Sequence, residues 1–436
     1  MATNQQLKRE LGVVGASLTG LGSIIGTGVF VSTAIATESA GSAVVISVIL
    51  AAMVAIANGL NSAQLAASHP VSGGTYEYGY RYLNGWLGFS AGWMFLMAKS
   101  ASAATAAMGI AEYVLSLSGL ADRSLITWIA LGVVLLMTVI VYSGIRQSNR
   151  ANMLIIGTTL TVLTLYVVSA LLLNTNPPAP RATNSLPNGI VGVLQATALI
   201  FVAYTGYGRI ATLGEEVIEP RRTIPRAMIF ALGLTMVLYV LVIIASLHTI
   251  GYQAFAQTTA QATAPLVIVS QSISVPYLPT ILSIGAVTAM LGVLLNLILG
   301  LSRVFLAMGR RKDLPTIFAH INTQGTTPTV AVWGTAVLIA IIILVVGDIR
   351  VAWSFSAINV LIYYGITNLS ALQLQREERM FPRWVTILGL VMCLFLTVWI
   401  SVSVYTVVLI LLAVGLAVKF AVNSYYARLG TGKNAV

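Results

Sequence analysis

Twelve apolar runs, each long enough to cross a bilayer, take up most of this chain, and no other feature limits its fold so severely. A helix needs about 20 consecutive apolar residues to span the hydrocarbon core. The runs lie at 12–34, 42–68, 85–116, 124–144, 151–173, 189–213, 226–250, 276–308, 327–347, 351–374, 384–402 and 405–426. Each is continuous rather than alternating in short pieces, which favours helices over the strands of a membrane barrel. Little is left to make a water-soluble surface: 8% of the 436 residues are charged, against about 25% in an ordinary soluble domain. The expected fold is all-α and integral to the membrane, with twelve transmembrane helices. Lys8 and Arg9 ahead of the first run resemble the start of a cleaved signal, but eleven comparable runs follow, so the first reads as a span.

The net charge of +11 does not imply nucleic acid, because the basic residues fall in short clusters between apolar runs rather than along one face. With the N-terminus in the cytoplasm, eighteen of the 23 basic residues collect on the cytoplasmic side, including Arg221, Arg222, Arg303, Arg310, Arg311, Lys312 and Lys419. Arg123, Arg181 and Arg350 fall on the opposite side, and Lys99 and Arg209 within spans. The positive-inside rule therefore puts both termini in the cytoplasm of a multi-pass protein of the cell membrane. The single cysteine, Cys393, excludes an intrachain disulfide.

Two spans are interrupted by glycine. Span 1 carries Gly20, Gly22, Gly26 and Gly28, and span 6 carries Gly206 and Gly208. Each glycine weakens a helix by about 1 kcal/mol relative to alanine. One reading is close helix packing; the other is a pair of discontinuous helices, tolerated at membrane depth only beside a cavity. The two spans are five apart, so a five-helix unit starting at span 6 begins from the opposite face. That arrangement favours an inverted repeat with a midplane substrate site. The expected organisation is a cytoplasmic N-terminus at 1–11, repeats at 12–173 and 189–374, two further helices at 384–426, and a cytoplasmic tail at 427–436. In the broken helix 1, the N–H groups of Gly26, Thr27 and Gly28 suit a carboxylate. Carbonyls of Val202, Ala203 and Thr205 in helix 6 suit an ammonium. A zwitterion matches both.

The stretch Gly22-Ser-Ile-Ile-Gly-Thr-Gly-Val-Phe30 resembles the helix 1 motif of the amino acid–polyamine–organocation superfamily. Pro70-Val-Ser-Gly-Gly-Thr-Tyr76, Phe201-Val-Ala-Tyr-Thr-Gly-Tyr207, Gly214-Glu-Glu-Val-Ile-Glu-Pro220, Ile224-Pro-Arg226 and Arg310-Arg-Lys-Asp-Leu-Pro315 follow in the order of that family. The resemblance implies a five-plus-five inverted repeat with two added helices. It also implies an amino acid carboxylate at Thr27 and Gly28, with its amine on carbonyls of Ile24, Val202 and Thr205 beside Phe201 and Ala203. Two departures stand out. Proton-coupled relatives carry a lysine in helix 5 where this chain has Thr159, and the large aromatic that some members place on helix 6 would fall near the small Val202.

Lys99 sits mid-span, where an ammonium costs at least about 3 kcal/mol on insertion scales. It either snorkels to an interface or faces a cavity as a coupling cation. Arg209 and Glu216, with Glu215 beside it, are gating candidates or surface charges; Thr159 could add a hydroxyl to a cation site. His69, His248 and His320 form no ligand cluster. No phosphate loop, Cys/His metal spacing or nucleophile elbow occurs, so neither enzyme chemistry, metal nor cofactor is expected. The sequence thus predicts a secondary transporter of amino acids working by alternating access, with protons an open coupling partner. A sensor or channel on the same scaffold, or a carrier of a polyamine or other organic cation, is the alternative.

Overall fold

A computed structural model describes residues 9, 11–71, 73–118, 122, 124–143, 145–174, 186–212, 214, 216–258, 264–322, 327–400 and 402–428. Ten stretches are long and apolar enough to cross a membrane among the described residues. The first, Val13–Ser68, is far too long for one crossing at 1.5 Å per residue. It divides into α1 (Val13–Ile24), α2 (Thr33–Ala40) and α3 (Val44–Ser68), with Gly41 in the left-handed region (φ 60°) ending α2. A short connector helix, α4 (Thr75–Tyr82), precedes α5 (Gly85–Ser118). Then come α6 (Leu125–Tyr142), α7 (Ile145–Val168), α8 (Gly189–Tyr204), α9 (Gly208–Ala211) and α10 (Pro220–Gln257). The short α11 (Pro265–Gln271) is followed by α12 (Leu278–Arg310), α13 (Thr329–Val346), α14 (Ile349–Leu372), α15 (Arg383–Thr397) and α16 (Val402–Arg428).

Burial follows an inside-out gradient. The apolar stretch of α5 is buried throughout, and α12 and α14 are mostly so, whereas α6, α13 and α16 expose most of theirs. The exposed residues include Trp128, Leu154, Leu172, Val345, Leu409 and Phe420. A soluble monomer rarely shows so much contiguous apolar surface; in lipid it costs nothing. Polar groups are turned inward and bonded to each other. Asn58, Asn61 and Gln64 of α3 meet Asn368 of α14 and Thr386 and Cys393 of α15 through hydrogen bonds such as Asn61 Nδ2 to Asn368 Oδ1 (2.8 Å).

Two basic residues counted on the cytoplasmic side are buried within helices. Arg303 is buried inside α12, and Lys419 is buried in α16, its ammonium over the rings of Tyr80, Trp86 and Phe89. Both are long side chains that pack their stems against helices, which charge counting along a sequence does not see. The helix α10 begins six residues before the expected start of span 7. Pro220 occupies its first turn, where no N–H is needed, and Glu219 (φ 47°) turns the chain into it.

Candidate functional site

Helix α1 ends where Ile25 takes an extended conformation (φ −81°, ψ 107°), and the chain resumes helically at Thr27 through a wide turn at Gly28–Ser32 into α2. The start of a helix leaves N–H groups without intrahelical partners. Here the N–H groups of Gly26, Thr27 and Gly28 have no backbone acceptor among the described residues. Helix 6 behaves differently. Between α8 and α9 it tightens at Thr205–Tyr207 into a 3-10 turn instead of extending. The Thr205 N–H and hydroxyl both donate to the Val202 carbonyl, the hydroxyl at 2.7 Å.

The glycines explain how the two interruptions meet. A Cβ on Gly206 would overlap the Ser23 carbonyl oxygen, and one on Gly28 would press on Tyr239 Oη and Ala203 Cβ at 2.5 and 2.7 Å. Close packing and interruption, the two readings open at the sequence level, thus describe the same contact. Beside it lies a small cavity. Ser23, Ile24, Thr27 and Gly28 line one wall, Val202, Ala203 and Gly206 another, and Lys99 and Ser102 of α5, Val293 and Leu297 of α12 and Trp353 of α14 close the rest.

Of the residues expected at the site, Ile24, Thr27, Gly28, Val202, Ala203 and Lys99 line this cavity. Gly26 faces Val293 just behind the wall. Thr205 is turned to Lys99, whose Nζ donates to its carbonyl (3.0 Å) and hydroxyl (2.8 Å). Lys99 is only 4% exposed and does not snorkel. Phe201 points away, its ring edge-on to Tyr364 at 5.9 Å. Thr159 is buried but not on the cavity; its hydroxyl donates to the Ile155 carbonyl of its own helix (2.7 Å). Arg209 is buried, donating to Thr212 Oγ1 (2.9 Å), and forms no ion pair with the buried Glu216 among the described residues. Glu216 is held by the pairing of Leu11 with Val217. Glu215 lies outside the described residues.

Sequence reasoning missed Ser23, Ser102, Gly206, Val293, Leu297 and Trp353. Trp353 supplies the aromatic bulk that Val202 lacks, from α14 instead of helix 6, with its indole N–H on the Leu199 carbonyl (3.1 Å). It also missed the amide pair of α7 and α12, where Asn296 Nδ2 donates to Asn152 Oδ1 (2.7 Å) and Asn152 Nδ2 to the Leu18 carbonyl (3.3 Å). An amide in an apolar run is a usable signal for such a contact. No group of three or more His, Cys, Asp or Glu that could hold a metal occurs among the described residues.

A second cluster joins the connectors that carry two of the resembling motifs. Gly73 (φ 116°) and Gly74 (φ 58°) turn the chain into α4, where Tyr76 Oη donates to Asp313 (2.7 Å) and Tyr80 reaches the same carboxylate. Arg311 makes a two-toothed ion pair with Glu77 and lies over the Tyr80 ring at 4.6 Å. Its hydrogen bonds to Glu77 raise its pKa further above the usual arginine range.

The cavity holds hydrogen-bond donors and a buried lysine beside the interrupted helices, an arrangement suited to binding a small polar molecule. The amino acid permease family model matches residues 15–430. An uncharacterized transporter of Mycobacterium tuberculosis is 39% identical over 94% of this chain and 91% of its own length. A branched-chain amino acid permease of Bacillus subtilis is 29% identical over 98% of this chain and 95% of its own. A methylthioribose transporter of the same organism is 28% identical over 77% of this chain and 75% of its own. With a match running from before the first break to the end of α16, the chain belongs to the amino acid permease family, within the amino acid–polyamine–organocation superfamily.

Proposed function

We propose that the protein is a secondary transporter that carries an amino acid across the cell membrane by alternating access, with the substrate held between the interruptions of helices 1 and 6. The observation that carries this reading is the trio of N–H groups at Gly26, Thr27 and Gly28, without backbone acceptors, at the edge of a cavity. A carboxylate there satisfies them, at the positive end of the resumed helix. The Ile24 carbonyl at the helix 1 break, with one lone pair open, supplies the acceptor for the amino end. Twelve crossings with both termini cytoplasmic, in two inverted five-helix repeats plus two helices, is the topology that fits this mechanism. Arg209 and Glu216, buried beyond the cavity along helix 6, are the groups we assign to gating.

Reconstituted protein should show saturable uptake of a labelled amino acid, accelerated by unlabelled amino acid inside the vesicles. Counter-flow distinguishes a carrier from a channel, and binding without flux would mark a sensor. Flux that does not saturate, or no exchange with any amino acid, overturns the reading.

A further inference from the structure

Lys99 is a buried amine with no carboxylate beside it among the described residues. Its two hydrogen bonds go to neutral groups of Thr205, and it forms no ion pair among the described residues. No Asp or Glu lines the cavity. An ammonium has three donors, so one is left for a ligand. Burying a charge unpaired is costly unless something completes it. A second group on the cavity wall is also incomplete: Thr27 Oγ1 is buried and has no hydrogen-bond partner among the described residues.

Of the acceptors expected for a substrate amine, the Ile24 carbonyl keeps one lone pair open for it, while those of Val202 and Thr205 each already accept twice. The Ile24 carbonyl accepts from Tyr239 Oη (3.0 Å), and the Val202 carbonyl from the Thr205 hydroxyl. The Thr205 carbonyl accepts from both Lys99 and Tyr364 Oη (3.3 Å). At Thr205 the lysine ammonium stands where a substrate ammonium was expected. Further along helix 6 the positive charge continues. Arg209 is buried with Nε unpartnered among the described residues and packs on α12 at Gly300.

We propose, resting on the transport reading above, that the substrate is an amino acid of net charge −1. Its α-carboxylate takes the helix 1 N–H groups, and its second carboxylate takes Lys99 Nζ. A zwitterion would leave the occupied site with one net positive charge; an acidic amino acid neutralises it.

The test is binding and counter-flow with full-length protein in lipid, comparing glutamate and aspartate with glutamine, asparagine, leucine and 2-oxoglutarate. Wild type should prefer each acid over its amide by on the order of tenfold or more, as expected for a desolvated charge pair. Lys99→Met should bring that ratio close to one. Should that variant not fold, Lys99→Gln keeps a donor for Thr205 and should show the same loss. Tighter binding of glutamine or leucine than of glutamate overturns the charge assignment while leaving amino acid transport standing. An acid-to-amide ratio unchanged in the lysine variants removes Lys99 from the substrate. Equal binding of 2-oxoglutarate and glutamate would show a carboxylate site that does not read the amine, against an amino acid substrate. No counter-flow with any of them defeats the transport reading itself.

Discussion

The cavity and the connector cluster treat charge in opposite ways. At the connectors every ionic group noted above has a partner: Glu77 with Arg311, Asp313 with Tyr76 and Tyr80, Lys419 with Tyr80 and the Gly85 carbonyl. At the cavity, among the described residues, Lys99 hydrogen-bonds only to a neutral threonine, Thr27 Oγ1 has no hydrogen-bond partner, and three N–H groups lack backbone acceptors. A folded chain satisfies its buried polar groups wherever it can. Among the described residues, unpartnered buried atoms also occur singly elsewhere, at Ser169 and Asn359 for example, so the cavity is set apart by several incomplete groups sharing one space, and the satisfied set marks where the protein holds itself together. Damage to the first should appear in binding, and damage to the second in stability.

The largest effect expected is at the contact between the two interruptions. Gly206→Leu places a side chain on the Ser23 and Ile24 backbone, which cannot yield as a side chain would. Overpacking a well-packed site costs about 1–3 kcal/mol, and this one abuts the cavity wall. Uptake should fall to background while the protein still inserts and the connector ion pair survives. Normal transport by Gly206→Leu would show that the abutment of helices 1 and 6 does not shape the site.

How much of this contrast could be read from the sequence depends on range. The spans were legible because twenty apolar residues in a row have few other fates, and the break at Ile25–Gly26 because glycines cluster there without any need for a turn. The partner of Lys99 was not legible: Thr205 lies 106 positions away and reaches it only because helix 6 tightens there. Trp353 was missed because its place on the cavity follows from how α14 packs on α5. The burial of Arg303 and Lys419 was not legible for the same reason, since a charge near the end of a run says nothing about which way its stem lies. Phe201, adjacent to Val202, fell on the other side because neighbouring residues of a helix do not share a face.

A smaller effect should follow from the connector ion pair. The Arg311 side chain is 40% exposed, so solvent screening discounts its pairing with Glu77, and such pairs contribute up to about 1 kcal/mol. Glu77→Gln and Arg311→Gln should each lower stability modestly, and the double variant should lose less than the sum of the two. Substrate affinity should stay at the wild-type level. A double-mutant cycle on thermal unfolding, with binding measured on the same preparations, checks both halves. A coupling that appeared in affinity and not in stability would erase the distinction between the two regions.

The smallest effect concerns His69, at the edge of the same cluster. Burial lowers its pKa below the ordinary value of 6.5, and the nearby charges of Arg81 and Arg311 lower it further, against a smaller opposing influence of Glu378. The geometry agrees: Arg81 can only donate, so at 3.2 Å His69 Nδ1 must be the acceptor and therefore unprotonated. The unfolded chain then takes up the proton first as pH falls. Above the unfolded value the ring is neutral in both states and makes no difference. Below it, folded stability declines until the lowered folded pKa is passed, after which the deficit is constant. His69→Gln keeps an acceptor for Arg81 and removes the titration. Wild type should therefore lose thermal stability relative to the variant between about pH 7 and pH 5, and not at all above. Since the two proteins differ only at this ring, the difference between the two curves isolates the histidine. A variant that tracked wild type through that range would mean that Arg81 leaves the ring free to protonate, and that this corner of the connector cluster is less tightly paired than its neighbours.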